Sequence, residues 1–242
     1  MKMGMKVLAT VGVLLATASV VVAQQREWSF EVTPYFWAAG IEGDATVQGQ
    51  DVDIDVGFDD LFDAVDAGGG LMTVAQRGSF VVFGQFDYVG MDTDQLDPAP
   101  AGGSIQTDSF FGAVAVGFQF KGPLKNSTID LLGGLRYAWM NNDLEITGGA
   151  SGEDSLDILD GIVMVRPSVR LTERWRFNPT FAIGAGDSDL TWEVQPSVQY
   201  QFADHLALRV GYRRVHYDIE GDHGNAFDAA FHGVMAGLSL MF

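Results

Sequence analysis

The feature that most constrains this chain is a two-residue alternation of apolar and polar side chains, sustained over runs of about ten residues. From Leu190 to Phe202, one parity carries Leu190, Trp192, Val194, Pro196, Val198, Tyr200 and Phe202, and the other carries Thr191, Glu193, Gln195, Ser197, Gln199 and Gln201. Successive side chains of an extended strand point to opposite faces, so this run is a ribbon with one apolar side and one polar side. Trp175, Phe177, Pro179, Phe181 and Ile183 repeat the pattern against Arg176, Asn178, Thr180, Ala182 and Gly184. Trp28, Phe30, Val32, Pro34 and Phe36 do so against Ser29, Glu31, Thr33, Tyr35 and Trp37. A soluble sandwich also alternates, but its strands are usually about five or six residues long, whereas a strand tilted across a bilayer needs about 9 to 11. Trp28, Phe120, Trp139, Trp175, Trp192, Tyr200 and Tyr212 stand near the ends of the apolar faces, where a membrane barrel has its interfacial girdles.

Residues 1–23 read differently. Lys2 and Lys6 give a positive start ahead of an apolar or small stretch from Val7 to Val22, and Val21-Val22-Ala23 supplies small residues before Gln24, the pattern of a cleaved signal peptide. At 16 residues, that run falls short of the roughly 20 a spanning helix needs. Residues 24–242 then form one domain, with no linker-like stretch to divide it. The chain has no cysteine, so a disulfide framework and thiol redox chemistry are excluded. Without Lys2 and Lys6, 12 Lys and Arg face 32 Asp and Glu, a balance that argues against nucleic acid and favours cations.

Strands are expected at about 28–39, 68–77, 80–91, 108–120, 128–141, 160–171, 175–186, 190–202, 206–218 and 229–242. These describe an all-β, transmembrane antiparallel up-and-down β-barrel of about ten strands, with eight and twelve as the neighbouring even counts that bacterial barrels use. Pro179 and Pro196 each remove a ladder donor inside a strand, so local bulges are expected at both. Short connections at 77–79, 121–127, 172–174 and 203–205 alternate with generally longer ones at 40–67, 92–107, 142–159, 187–189 and 219–228. Short periplasmic turns and longer extracellular loops are the usual asymmetry. Charge follows it: 40–67, 92–107, 142–159 and 219–228 contain no Lys or Arg. The chain ends at Phe242, preceded at alternate positions by Leu240, Leu238, Ala236 and Val234. This terminal strand resembles the signature of outer-membrane barrels, which implies recognition of Leu238, Leu240 and Phe242 by the barrel-assembly machinery.

Pro34-Tyr35-Phe36-Trp37-Ala38-Ala39-Gly40 leads into an acidic first loop that contains Asp59-Asp60-Leu61-Phe62-Asp63. Together with the Leu171-Thr172-Glu173-Arg174-Trp175 turn and Gly211-Tyr212-Arg213-Arg214-Val215, these segments resemble a group of poorly characterised Gram-negative outer-membrane β-barrel proteins. The resemblance covers essentially the whole chain after residue 23 and implies fold and location, without an activity, a cofactor or site residues.

Strand parity assigns Glu31, Asp87, Asp130, Arg136, Arg166, Arg170, Arg176, Glu193, Arg209 and Arg213 to the lumen. Ten strands enclose little more than the eight-stranded barrels that side chains fill, so these charges read as a paired plug, or else as the lining of a narrow, porin-like passage. Arg214 shares the outward parity of Tyr212 and His216. It is either a contact for lipopolysaccharide phosphate or a residue standing above the membrane. Asp51, Asp53 and Asp55 share one parity in the first loop and suit diffuse attraction of Ca²⁺ or Mg²⁺, but they do not complete an EF-hand, since Val56 and Phe62 stand where Gly and Glu would be required. Phe58, Leu61, Phe62 and Val65 carry helical spacing, which would make a short helix or a packed loop turn. His216, Asp218, Asp222, His223 and Asp228 gather base and carboxylates near one loop. Three functions are therefore open: a structural or envelope role with limited small-solute passage, a surface module for divalent cations or a cationic partner, and an outer-membrane hydrolase.

Overall fold

A computed structural model describes residues 27–47, 50–56, 65–93, 103–146, 151–220 and 226–242. Its strands are β1 (Ser29–Val47), β2 (Gln50–Val56), β3 (Val65–Arg77), β4 (Phe80–Thr93), β5 (Gly103–Lys121), β6 (Ser127–Ile146) and β7 (Ser151–Arg170), then β8 (Trp175–Phe177), β9 (Thr180–Gly186), β10 (Leu190–Gln195), β11 (Ser197–Ala203), β12 (Leu206–Glu220) and β13 (Ala226–Met241). Every pairing is antiparallel, and β1 pairs with β13, so the sheet closes on itself. β8 and β9 form one staved position of the wall, β10 and β11 another, and β2 is an addition to β1. The result is a closed ten-stranded barrel. No described helix is long and apolar enough to cross a membrane, a statement that does not bear on strands.

Alternation decides which way each stave faces. On β5, Ser109, Phe111, Ala113 and Ala115 are buried in the lumen, while Val114, Val116, Phe118 and Phe120 are exposed on the outside. Phe118 keeps 52% of its surface and Leu135, on the neighbouring β6, keeps 51%. The bare apolar surface continues around the wall through Leu131, Val163, Ile183, Val210, Val234 and Phe36. An apolar band of that extent is stable only against hydrocarbon or a partner, and here it encircles a closed cylinder. Aromatic rings mark its two edges. Near the short turns Phe80 packs edge-on to Trp28 at 6.3 Å and to Phe118 at 6.0 Å, and Trp175 lies 4.8 Å from Tyr200. Near the long loops three tyrosines each bond a polar side chain on the next strand: Tyr88 donates to Asp108 at 2.7 Å, Tyr137 donates to Asp157, and Tyr212 meets His232 at 2.8 Å.

The strands run past the ends read from the sequence. β5, β6 and β7 all extend toward the long-loop end as continuous hairpins, and the span 40–67 is not a loop throughout, because β1 reaches Val47 and folds back as β2. In these extensions the apolar alternation along the sequence fades while the backbone pairing continues. The helical spacing at 58–65 falls almost wholly on 57–64, outside the described residues, and Val65 opens β3.

The bulges expected at Pro179 and Pro196 are absent. Each proline interrupts its stave, but the register is the same on both sides: Val165 faces Phe181 and Val169 faces Phe177, while Gln195 faces Thr180 and Val198 faces Phe177. Continuing those ladders sets Pro179 opposite Pro167 on one side and Pro196 on the other. Three missing N–H groups thus fall in one row, where they interrupt the ladder without adding a residue. Bonds around the row hold it together: Asn178 N–H donates to the Ser197 carbonyl at 2.8 Å, Ser197 Oγ donates to the Asn178 carbonyl at 2.7 Å, and Tyr212 N–H donates to the Pro196 carbonyl at 3.0 Å.

Whether lipid surrounds the outer face can be read from one substitution. Leu135→Arg should cost about 2–4 kcal/mol in urea titrations of barrel refolded in lipid vesicles. The same change at an equally exposed site in water would stay within about 0.5 kcal/mol.

Candidate functional site

A chain of buried charges crosses the lumen at mid-height. Arg136 is held between Thr191, which accepts from its Nη1 at 2.8 Å, and Glu193, which accepts from its Nη2. The other Glu193 oxygen accepts from Arg213 Nε at 2.9 Å. Arg213 then donates to Asp87, whose second oxygen takes the hydroxyl of Tyr35, and Gln85 donates to that hydroxyl at 2.9 Å. The Arg213 guanidinium also lies 4.6 Å from the centre of the Trp37 ring. All these side chains are buried. Two cations and two carboxylates alternate, so the chain is neutral, and each charge has the directed bonds that make burial tolerable.

Closer to the short turns lies a second tier. Arg166 pairs with Asp130 at 3.3 Å and lies 4.4 Å from the centre of the Phe83 ring, and Arg209 pairs with Glu31 at 2.7 Å. Gln119 donates to Asp130 at 2.9 Å and Gln199 to Glu31 at 2.9 Å. Beyond them Arg176 is half-buried and Arg170 is exposed at the mouth, where the two stand directly opposite each other. The ten charges that parity assigned to the lumen therefore occupy three levels: Asp87, Arg136, Glu193 and Arg213 at mid-height, Glu31, Asp130, Arg166 and Arg209 beneath, and Arg170 and Arg176 at the mouth.

Sequence reading missed what gives the network its shape. Tyr35, Gln85 and Thr191 share the lumen parity, but nothing along the chain pairs them with these charges. Gly70 matters more: a Cβ there would stand 2.3 Å from Tyr35 Cζ and 2.8 Å from Asp87 Oδ1. Only a residue without a side chain lets the Tyr35 ring reach across β3 to Asp87, and the run Gly68-Gly69-Gly70 was the available signal.

The outer wall above the tyrosine ring holds a different arrangement. Arg214 is ion-paired with Glu42 and lies 5.7 Å from the centre of the Trp192 ring. Glu42 also takes His232 Nε2 at 3.0 Å. The Arg214 hydrogen bond holds the Glu42 carboxyl below its ordinary range. Arg214 therefore already has a carboxylate partner. One step farther from the membrane, Asp218 stands opposite Asp228, Asp228 opposite Asp44, and Asp44 opposite Asp53. Four aspartates thus occupy one row across β12, β13, β1 and β2. Asp51 and Asp55 stand opposite Thr46 and Glu42 in the flanking rows. His216, from the histidine and carboxylate group, meets Asp228 at 3.1 Å and packs edge-on to Trp192 at 5.2 Å, while Asp222 and His223 lie outside the described residues.

The C-terminal strand presents Val234, Leu238, Leu240 and Phe242 on the outer face, with Phe242 71% exposed. Its last residue also completes the seam. Phe242 N–H donates to the Phe30 carbonyl at 2.9 Å, and Phe30 N–H donates to the Phe242 carbonyl at 3.0 Å.

No protein-family model matches the sequence, and a search of curated proteins finds no match. Solved structures do match. The outer membrane protease OmpT of Escherichia coli aligns over 89% of this chain and 96% of its own, with a TM-score of 0.53 at 9% identity. The fold is that of an outer-membrane β-barrel. Ail, the attachment invasion locus protein of Yersinia pestis, aligns over 90% of this chain and 99% of its own, with a TM-score of 0.40 at 9% identity. The translocator domain of the autotransporter NalP from Neisseria meningitidis aligns over 89% of this chain and 88% of its own, with a TM-score of 0.45 at 12% identity. At these identities the likeness concerns architecture and not activity.

Removing one member of the mid-lumen chain should expose its worth. Glu193→Ala leaves Arg136 and Arg213 without their shared carboxylate and should cost about 3–5 kcal/mol in urea titrations of the refolded barrel. Gly70→Val should displace the Tyr35 ring from Asp87, shifting the fluorescence of the neighbouring Trp37 while leaving a closed barrel on unheated gels.

Proposed function

We propose that the protein is an integral outer-membrane barrel with a structural or envelope-interaction role, whose long loops are extracellular and whose short turns are periplasmic. The lumen admits at most limited passage of small solutes. The observation that carries this reading is the buried Arg136–Glu193–Arg213–Asp87 chain, which crosses the lumen of a barrel already narrow at ten strands. Leu238, Leu240 and Phe242 are the surface offered to the assembly machinery during insertion. In planar bilayers the refolded protein should show little conductance above the empty membrane, and the Glu193→Ala/Arg213→Ala double variant should conduct more. Large, steady wild-type channels would contradict the reading.

One observation favours a second role, capture of divalent cations at the outer wall. Like charges directly opposite each other destabilise a sheet, and here Asp44, Asp228 and Asp218 stand in one row. A hard divalent cation suits carboxylate oxygens and would relieve that repulsion. It would also let the acidic wall approach lipopolysaccharide phosphates. Calorimetry with Ca²⁺ should give saturable heat that Asp44→Asn/Asp228→Asn removes, and a flat titration of the wild type would dismiss this role.

A further inference from the structure

We infer that the short-turn mouth of the lumen is a binding site for a hydrophilic oxyanion carrying at least two negative charges. Beneath the mid-lumen network the barrel opens into a cavity of about 800 Å³, within the size range of small-molecule sites. Its wall carries six cations, Lys121, Lys125, Arg166, Arg170, Arg176 and Arg209, against two carboxylates, Glu31 and Asp130. In a chain with a formal net charge of −18, this is a concentration of the opposite sign.

Both carboxylates are already engaged. Glu31 is paired with Arg209 and Asp130 with Arg166. Among the described residues, the remaining four cations form no salt bridge with the protein. Arg170 and Arg176 moreover stand directly opposite each other in the ladder, an arrangement that costs stability unless an anion lies between or beside them.

Deeper in the same cavity the paired arginines are themselves incompletely satisfied. Nε of Arg166 and Nε of Arg209 are buried without a hydrogen-bond partner, on residues 9% and 3% exposed. Buried guanidinium donors left open are costly, and an oxyanion entering from the mouth would supply the missing acceptors. Guanidinium groups are suited to this, because their donors match the spacing of phosphate and carboxylate oxygens.

The rest of the lining sets the character of the ligand. Gln76, Ser127, Thr128, Ser168 and Asn178 make much of the remaining wall polar, and among the described residues the apolar lining is Val74 and Leu124, with no aromatic ring. The site therefore fits a sugar-like or otherwise polar anion rather than one bearing an acyl chain. Acidic residues crowd the opposite end of the barrel, so an anion approaches through the short turns.

The test is calorimetry on the full refolded barrel in detergent at low salt, with pyrophosphate and citrate as separate probes. We expect saturable heat with at least one probe, weakened about tenfold in Arg170→Gln/Arg176→Gln and declining as NaCl is raised. Heat with pyrophosphate alone identifies a phosphorylated solute, and heat with citrate alone a polycarboxylate. Both substitutions lie at the mouth, and unheated gel migration shows whether the variant remains a closed barrel. Absence of saturable heat with both probes, or unchanged affinity in the folded double variant, would overturn the inference. Conductance is not involved, so failure here leaves the closed-lumen reading standing.

Discussion

The structure depends on the seam between its first and last strands. β1 and β13 pair along their lengths, and the final residue exchanges two backbone hydrogen bonds with Phe30. In hydrocarbon an unpaired N–H or C=O has no water to turn to, so an open sheet edge costs several kcal/mol per group. Closing the sheet removes both edges together. The alternation along every stave follows, because one face of a closed cylinder must meet lipid and the other must fill the interior.

Filling that interior is where charge enters. A ten-stranded cylinder has a narrow interior, and this one uses Arg136, Glu193, Arg213 and Asp87 as its central layer. Their strict alternation of sign, together with Tyr35, Gln85 and Thr191, satisfies groups that would otherwise be expensive to bury. The two ends then diverge. Cations gather at the short-turn mouth, and carboxylates gather on the wall and hairpins at the long-loop end. The barrel is polarised along its axis around a neutral, packed middle.

The staves and their facing were legible in the sequence because lipid and lumen impose opposite demands on neighbouring residues. The lumen charges were legible for the same reason: Glu193 and Arg213 occupy the polar parity of strongly alternating runs. Their pairing was not, since Arg213 meets Asp87 across 126 positions, and such partners emerge only when the register of intervening strands is known. The aspartate row had the same obstacle, being built from one residue on each of four strands. Asp51, Asp53 and Asp55 could be seen as a cluster, but not that β2 sets them beside β1. Pro179 and Pro196 misled for a related reason. Each looked like an isolated defect along the chain, whereas across the sheet they line up with Pro167.

The most direct test of the account is accessibility along β5. The chain has no cysteine, so single cysteines can be placed in turn from Ala113 to Phe118, spin-labelled, and exposed to lipid-soluble oxygen and to a water-soluble relaxation agent in vesicles. A lipid-surrounded, internally packed barrel predicts strong oxygen effects at 114, 116 and 118, weak effects of both agents at 113 and 115, and a period of two. If 114, 116 and 118 respond instead to the water-soluble agent, the apolar face is not in hydrocarbon and the closed membrane cylinder is wrong.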